Sequence, residues 1–181
     1  IEDFLGATDY WGAAFSPDGS KILVSSDESG IYNVVAIPVD GGEPVELTRS
    51  ETDSVFAESY FPGDERFLFS RDKGGDELDH LFVQELDGSV QNLTPGAGLK
   101  ASFEGWTQDE TRFIVATNER DQQFFDVYLY SRDRYEREMI YQNDEGYDVQ
   151  AVSPDLRHLA LVKNRTTNDN DLYLFDRQAQ E

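Results

Sequence analysis

The sequence contains no cysteine, a single methionine and two histidines. Missing thiols exclude disulfides, thiolate zinc centres and cysteine nucleophiles, and they leave the redox compartment open. With histidine confined to His80 and His158, a hydrolytic triad within these 181 residues would have to use one of them. Cations are scarce, since 15 Lys and Arg stand against 37 Asp and Glu for a formal net charge of −22. That balance argues against non-specific binding to nucleic acid or to anionic lipid, and it leaves cationic and neutral partners open. No apolar run approaches the roughly 18 residues of a membrane-spanning helix, and no basic leader with an apolar core is present. The chain begins with Ile1 rather than Met, so it is expected to be a processed or excised piece in which a missing leader is uninformative. Localisation stays open between bacterial cytoplasm and periplasm.

What is present is a repeat. The stretches "FSPDGSKILVSSD" (15–27), "YFPGDERFLFSRD" (60–72), "WTQDETRFIVATN" (106–118) and "VSPDLRHLALVKN" (152–164) align with Pro17, Pro62, Gln108 and Pro154 in one column, spaced by 45, 46 and 46 residues. Phe15, Tyr60, Trp106 and Val152 form an apolar column, and Lys21, Arg66, Arg112 and His158 a basic one. Three apolar columns follow, closed by Asp27, Asp72, Asn118 and Asn164. Short apolar runs rich in Val, Ile, Phe and Tyr, separated by Gly, Pro, Asp and Asn, predict strands and turns. In the first unit the strands fall at about Ala13–Ser16, Lys21–Ser26, Tyr32–Val39 and Pro44–Thr48, and are labelled A to D. "SPDG" makes the A-to-B corner, because Pro fixes φ, Asp caps its own turn and Gly relieves a left-handed position.

Four antiparallel strands in about 45 residues, with no helical periodicity between them, match a propeller blade. The expected fold is therefore all-β: a β-propeller of four four-stranded antiparallel blades, with repeats at approximately 7–50, 51–96, 97–144 and 145–181. Continuous apolar central strands fit this, since both faces of a blade pack on neighbours. The fourth unit runs out before its strand D, while "IEDFL" sits ahead of the first strand A. Either Ile1–Leu5 completes the fourth blade and closes a small ring, or it is the tail of a preceding blade in a larger propeller. The bulky Phe, Tyr and Trp columns favour the larger propeller, and an open piece would self-associate through exposed blade edges.

The "SPDG" corner, the "IYNVVAIPVDGGEPVELT" stretch and "LFVQELDGSVQNLTPG" resemble the propeller repeats of the TolB-like group and of the prolyl oligopeptidase family. "SRDKGGDELDHLFVQELDGSVQNLTPG" and "VKNRTTNDNDLYLFDR" look more like the acylaminoacyl-peptidase and dipeptidyl-peptidase-like members. The resemblance implies the N-terminal propeller of a serine peptidase, with an α/β-hydrolase domain of the parent chain and peptide substrates as partners. No Gly-x-Ser-x-Gly elbow occurs here, so no catalytic residue is assigned and the chemistry is expected outside this chain. The Glu-Glu pair by which dipeptide-trimming members hold a substrate amino terminus is also lacking, so no specificity residue carries over.

Candidate sites stand beside plainer accounts. His158 occupies the repeat's basic column, and His80 beside Asp79 reads as a surface residue. In "DKGGDELD", Asp72, Asp76, Glu77 and Asp79 could converge on a cation or a cationic peptide, as could Asp169 and Asp171 in "NDND". Neither spacing matches a calcium loop, so a solvated turn is the preferred account, with no metal and no cofactor assigned. The B-to-C loops (27–30, 72–79, 118–124, 164–171) and D-to-A links should share one face, carrying nearly half the net charge. Such a face would attract cationic peptides, or would simply keep a repeat protein soluble.

Overall fold

The computed structural model describes residues 7–179, and among these there are fifteen strands and no helix. The first sheet orders β1 (Tyr10–Phe15), β2 (Lys21–Ser26), β3 (Asn33–Pro38) and β4 (Val45–Glu46) as an antiparallel meander. The second repeats that order with β5 (Phe56–Tyr60), β6 (Phe67–Arg71), β7 (His80–Gln84) and β8 (Val90–Asn92). The third is built from β9 (Ala101–Trp106), β10 (Arg112–Asp121), β11 (Phe124–Ser131) and β12 (Arg137–Tyr141). The fourth has three strands among the described residues, β13 (Asp148–Val152), β14 (His158–Thr166) and β15 (Asp169–Asp176). The expected role of Ile1–Leu5 lies outside the described residues. The chain divides into two compact units, Ile1–Ala97 with the first two sheets and Gly98–Glu181 with the others.

In the first three sheets both faces of the central strands are withdrawn from solvent, which is why their apolar runs are unbroken; in the fourth, Leu172 and Leu174 of β15 are exposed. Leu23, Val24, Val34 and Val35 are all buried, and successive residues of a strand point to opposite faces. In the first unit Leu23 and Val34 pack with Val55, Tyr60, Phe67, Phe69 and Phe82, the last two stacked at 5.3 Å between ring centroids. In the second, Ile114, Val127, Leu129, Ile140 and Tyr141 meet Leu159 and Leu161, and Phe175 closes edge-on against Tyr141 at 5.2 Å. Each such side chain contributes about 1.5–3 kcal/mol by leaving water.

The corner between the first two strands of each sheet explains why a hydroxyl and an aspartate recur there. Ser16 Oγ donates to Asp18 Oδ1 (2.7 Å) and accepts from Lys21 N (2.9 Å), and Asp18 Oδ1 also accepts from Ser20 N (2.9 Å). Thr107 and Asp109 repeat the pattern, as do Ser153 and Asp155. In the second sheet Phe61 replaces the hydroxyl, and Asp64 instead accepts from Arg66 N (3.0 Å). The hydroxyl donors hold the Asp18 and Asp109 carboxylates down at about 2, against an ordinary 3.8. A lowered carboxylate stabilises the fold fully above its unfolded value and loses that contribution as pH falls through the folded one. The side-chain carboxyl resonances of Asp18 and Asp109 should therefore titrate with midpoints near pH 2 by NMR. Midpoints near 4 would show that these corners are not hydrogen-bonded in solution.

Two expectations need correction. The segments 118–124 and 164–171 are not loops: β10 and β11 pair out to Asp121 and Phe124, and β14 and β15 out to Thr166 and Asp169. Only residues 122–123 and 167–168 turn. Polar composition suggested loops there, but the outer part of a hairpin has no face to bury, so polar residues serve the ladder equally well. Strand A also starts earlier than expected, at Tyr10 rather than Ala13, because a bulge between Trp11 and Ala14 interrupts its alternation.

Candidate functional site

Of the acidic residues singled out in the sequence, Asp72 and Asp76 hold their own loop in shape. Asp72 Oδ2 accepts from Glu77 N (3.1 Å), and Asp76 Oδ1 accepts from Leu78 N (3.0 Å). Asp53, in the preceding link, accepts from Gly74 N (2.8 Å). The loop needs these acceptors because Gly74, Gly75 and Glu77 all have positive φ, at 68°, 76° and 61°. Asp79 is half-buried beside His80. Asp169 and Asp171 lie on β15 rather than in a loop, and Asp171 pairs with Arg165. Among the described residues, no three His, Cys, Asp or Glu side chains converge as a metal site would require. Both histidines are engaged: His80 Nδ1 lies 3.1 Å from the Asn92 amide, and His158 Nε2 lies 3.6 Å from Asp176.

A different arrangement emerges beside the first strands, two of which, β1 and β5, approach each other closely in the first unit. Every first strand carries a bulge, at Gly12-Ala13, Glu58, Glu104 and Gln150. The glycine is required at the first of these, since its φ is +64° and a Cβ would sit 3.1 Å from the Ala57 carbonyl oxygen of the neighbouring strand. Ser25 Oγ spans the same approach by accepting from Ala57 N (2.8 Å). Above it opens a crevice of about 630 Å³ lined by Trp11, Gly12, Ser25, Tyr32, Phe56, Ala57, Glu58 and Ser70. Tyr32 and Phe56 are tilted against each other at 5.2 Å, and Trp11 is 63% exposed. The Tyr32 hydroxyl donates to Asp9 Oδ2 (2.7 Å), and that bond pushes its pKa up to about 12.

The second unit holds a smaller crevice of about 230 Å³ at the same place in the repeat. Phe125 stands where Tyr32 does, Ala116 for Ser25, Val149 for Ala57 and Asp148 for Phe56, while Glu104 takes the place of Ala13, next to Gly12. Each crevice thus joins an aromatic ring at the entry to the third strand with a carboxylate on a first strand. Here the acids are already tied, Glu104 to Ser102 Oγ (2.5 Å) and Asp148 to Asn164 Nδ2 (2.5 Å). Sequence reasoning missed both crevices, because the bulges break the period-two pattern. The available signal was Glu58, Glu104 and Gln150, spaced evenly by 46 residues.

Fold and repeat define a TolB-type β-propeller. Over 96% of this chain and 42% of its own, TolB from Acinetobacter baumannii superposes with a TM-score of 0.68 at 17% identity. A puromycin-hydrolyzing peptidase from Mycobacterium tuberculosis does so with a TM-score of 0.67 at 17% identity, covering 96% of this chain and 30% of its own. In sequence, the chain is 29% identical over 134 residues to dipeptidyl aminopeptidase BIII of Pseudoxanthomonas mexicana, a match covering 71% of this chain and 19% of that enzyme. The chain therefore spans only a fraction of these relatives. No protein-family model matches it.

Proposed function

We propose that this chain is the propeller segment of a prolyl-oligopeptidase-like serine peptidase, docking or filtering peptides for an α/β-hydrolase domain of the parent chain. The observation that carries this reading is the sequence match to a dipeptidyl aminopeptidase. Fold likeness alone does not, because TolB superposes equally well and one propeller fold serves unrelated tasks. The crevices support a peptide-contacting role, since rings beside carboxylates suit the basic groups that a chain of net charge −22 attracts. The purified 181-residue chain should neither react with a fluorophosphonate probe nor hydrolyse peptide p-nitroanilides, whereas the full parent protein should do both. Labelling of this chain would overturn its non-catalytic role. A parent reading frame with propeller blades and no hydrolase domain would overturn the peptidase assignment in favour of a TolB-like scaffold that binds protein partners.

A further inference from the structure

We infer that the outer edge of β15 is the docking site for a fourth strand, supplied by a further segment of the parent polypeptide and recognised by a leucine opposite Leu172 followed by a threonine. This inference does not depend on the peptidase reading. In the first three sheets the third strand lies between two partners, whereas among the described residues β15 pairs with β14 alone. Its Leu172 and Leu174 stand directly across from Val162 and Ala160 and are 73% and 69% exposed. The stretch from Leu172 to Phe175 has no charge, proline or glycine. Proteins commonly blunt an exposed sheet edge with such residues, so an unguarded apolar edge calls for a partner.

The molecule shows what covers this position elsewhere. Val34, Leu81 and Leu172 share one register, paired with Ser25, Ser70 and Val162, each four places past the basic column. Val34 O accepts from Leu47 N (2.8 Å), and Val34 N donates to Thr48 Oγ1 (2.8 Å). Leu81 repeats both bonds with Leu93 N (2.8 Å) and Thr94 Oγ1 (2.9 Å). Leu93 and Thr94 are buried, and Leu47 packs on the first core. In the third sheet Tyr141 takes the leucine's place, opposite Val127. A leucine opposite Leu172 would cover it, and the threonine hydroxyl would accept from its N–H. Groove sizes agree. Beside Phe175 the groove between the third and fourth sheets measures about 850 Å³, while the matching one beside Gln84, whose sheet has its fourth strand, measures about 260 Å³. A second copy of the chain is a poorer occupant, because each carries a net charge of −22 and β15 itself brings Asp169, Asp171 and Asp176 with no Leu-Thr pair.

The test is an NMR titration of the 181-residue chain with acetyl-Gly-Glu-Pro-Val-Glu-Leu-Thr-Arg-Ser-amide, the sequence of its own residues 42–50. The peptide should saturate below about 10 mM and slow exchange of the Leu172 and Leu174 amides at least about tenfold, leaving those of Lys21 and Val34 unchanged. Alanine for the peptide's leucine should weaken binding about tenfold or more, and valine for its threonine about threefold to tenfold. Leu172→Asp and, as a second variant, Leu174→Asp should each weaken it at least about tenfold; both side chains are exposed, and urea midpoints check that the fold is kept. In the full parent protein the same two amides should be protected without peptide at any dilution. Exposed amides in the parent, no saturation by the peptide, equal binding of the alanine peptide, or protection confined to other strands would overturn the proposal. So would protection of these amides in the dilute chain alone, which would mean that the chain covers its own edge, and protection that grows with chain concentration, which would make a second copy the occupant.

Discussion

Replacing Phe113 with alanine is expected to destabilise the second unit by about 4 kcal/mol, the largest single loss among these predictions. Phe113 is fully buried at the centre of the third sheet, directly paired with Trp106 on one side and Tyr130 on the other. Its ring lies 5.3 Å from Tyr130, nearly parallel, and 5.2 Å from Trp106, edge to face. Truncation therefore removes the transfer free energy of a phenyl ring, leaves a cavity that flanking strands cannot close, and deletes aromatic pairs with Phe103, Trp106 and Tyr130 worth about 0.5–1.5 kcal/mol each. With typical domain stabilities of about 5–15 kcal/mol, that is a large share. The measurement is a urea titration followed by Trp106 emission in a Trp11→Phe background. Phe113→Leu, which keeps most of the volume, should cost less than about 2 kcal/mol. A loss below about 1.5 kcal/mol in the alanine variant would show that this aromatic face is not packed in solution.

Phe113 was legible in the sequence as a member of an apolar column, and for the same reason β2 falls where expected, at Lys21–Ser26. A strand covered on both faces needs apolar residues at every position, so its run stands out from polar turns. The corners were legible as well, because Ser, Asp and Gly each meet a local demand. Legibility ended where non-local contacts decide. That Gly12 is forced by the approach of the Ala57 carbonyl follows only from a second strand 45 residues further on. "NRTTND" carries the polarity of a loop and forms a hairpin, because ladder pairing is indifferent to the polarity of exposed side chains. The acidic loop at 72–79 was found, but its chemistry was not. Asp72 and Asp76 are turned on their own backbone by a positive-φ stretch, and composition carries no sign of that direction. Tyr32 and Phe56 meet across two repeats at 5.2 Å, a juxtaposition that a column-by-column reading cannot display.

Asp126→Ala is expected to cost about 3 kcal/mol and to loosen the smaller crevice while leaving the first unit untouched. In the first three sheets one register position of the third strand, held by Asn33, His80 and Asp126, bonds to the segment that follows the fourth strand or to its end. Asn33 Oδ1 accepts from Ser50 N (2.7 Å), and His80 meets Asn92 in the segment where Thr94 Oγ1 accepts from Leu81 N (2.9 Å). In the third sheet the clasp is ionic: the fully buried Asp126 accepts from Asn143 N (2.7 Å) and from Arg120 Nε (2.7 Å) and Nη2 (3.0 Å). Arg120 continues to the Asn143 carbonyl (2.8 Å), and Asn143 in turn holds Gly146 N (2.9 Å) and Tyr147 N (3.1 Å), which line the crevice. Removing the carboxylate leaves a buried Asn143 N–H without its acceptor and takes from Arg120 its two bonds to Asp126, leaving it Asp144 (2.9 Å) and the Asn143 carbonyl. An unsatisfied buried donor costs about 1–3 kcal/mol and a lost charge-assisted hydrogen bond about 1.5–3, so about 3 is a partial sum in which the exposed side of Arg120 recovers hydration. Asp126→Asn keeps an acceptor for Asn143 and should lose roughly half as much. Hydrogen exchange separates this from general unfolding: amides 143–147 should exchange faster in Asp126→Ala under native conditions, while those of Lys21 and Val34 keep their protection. Equal acceleration in both units would mean that the clasp acts on the whole chain rather than on the link it grips.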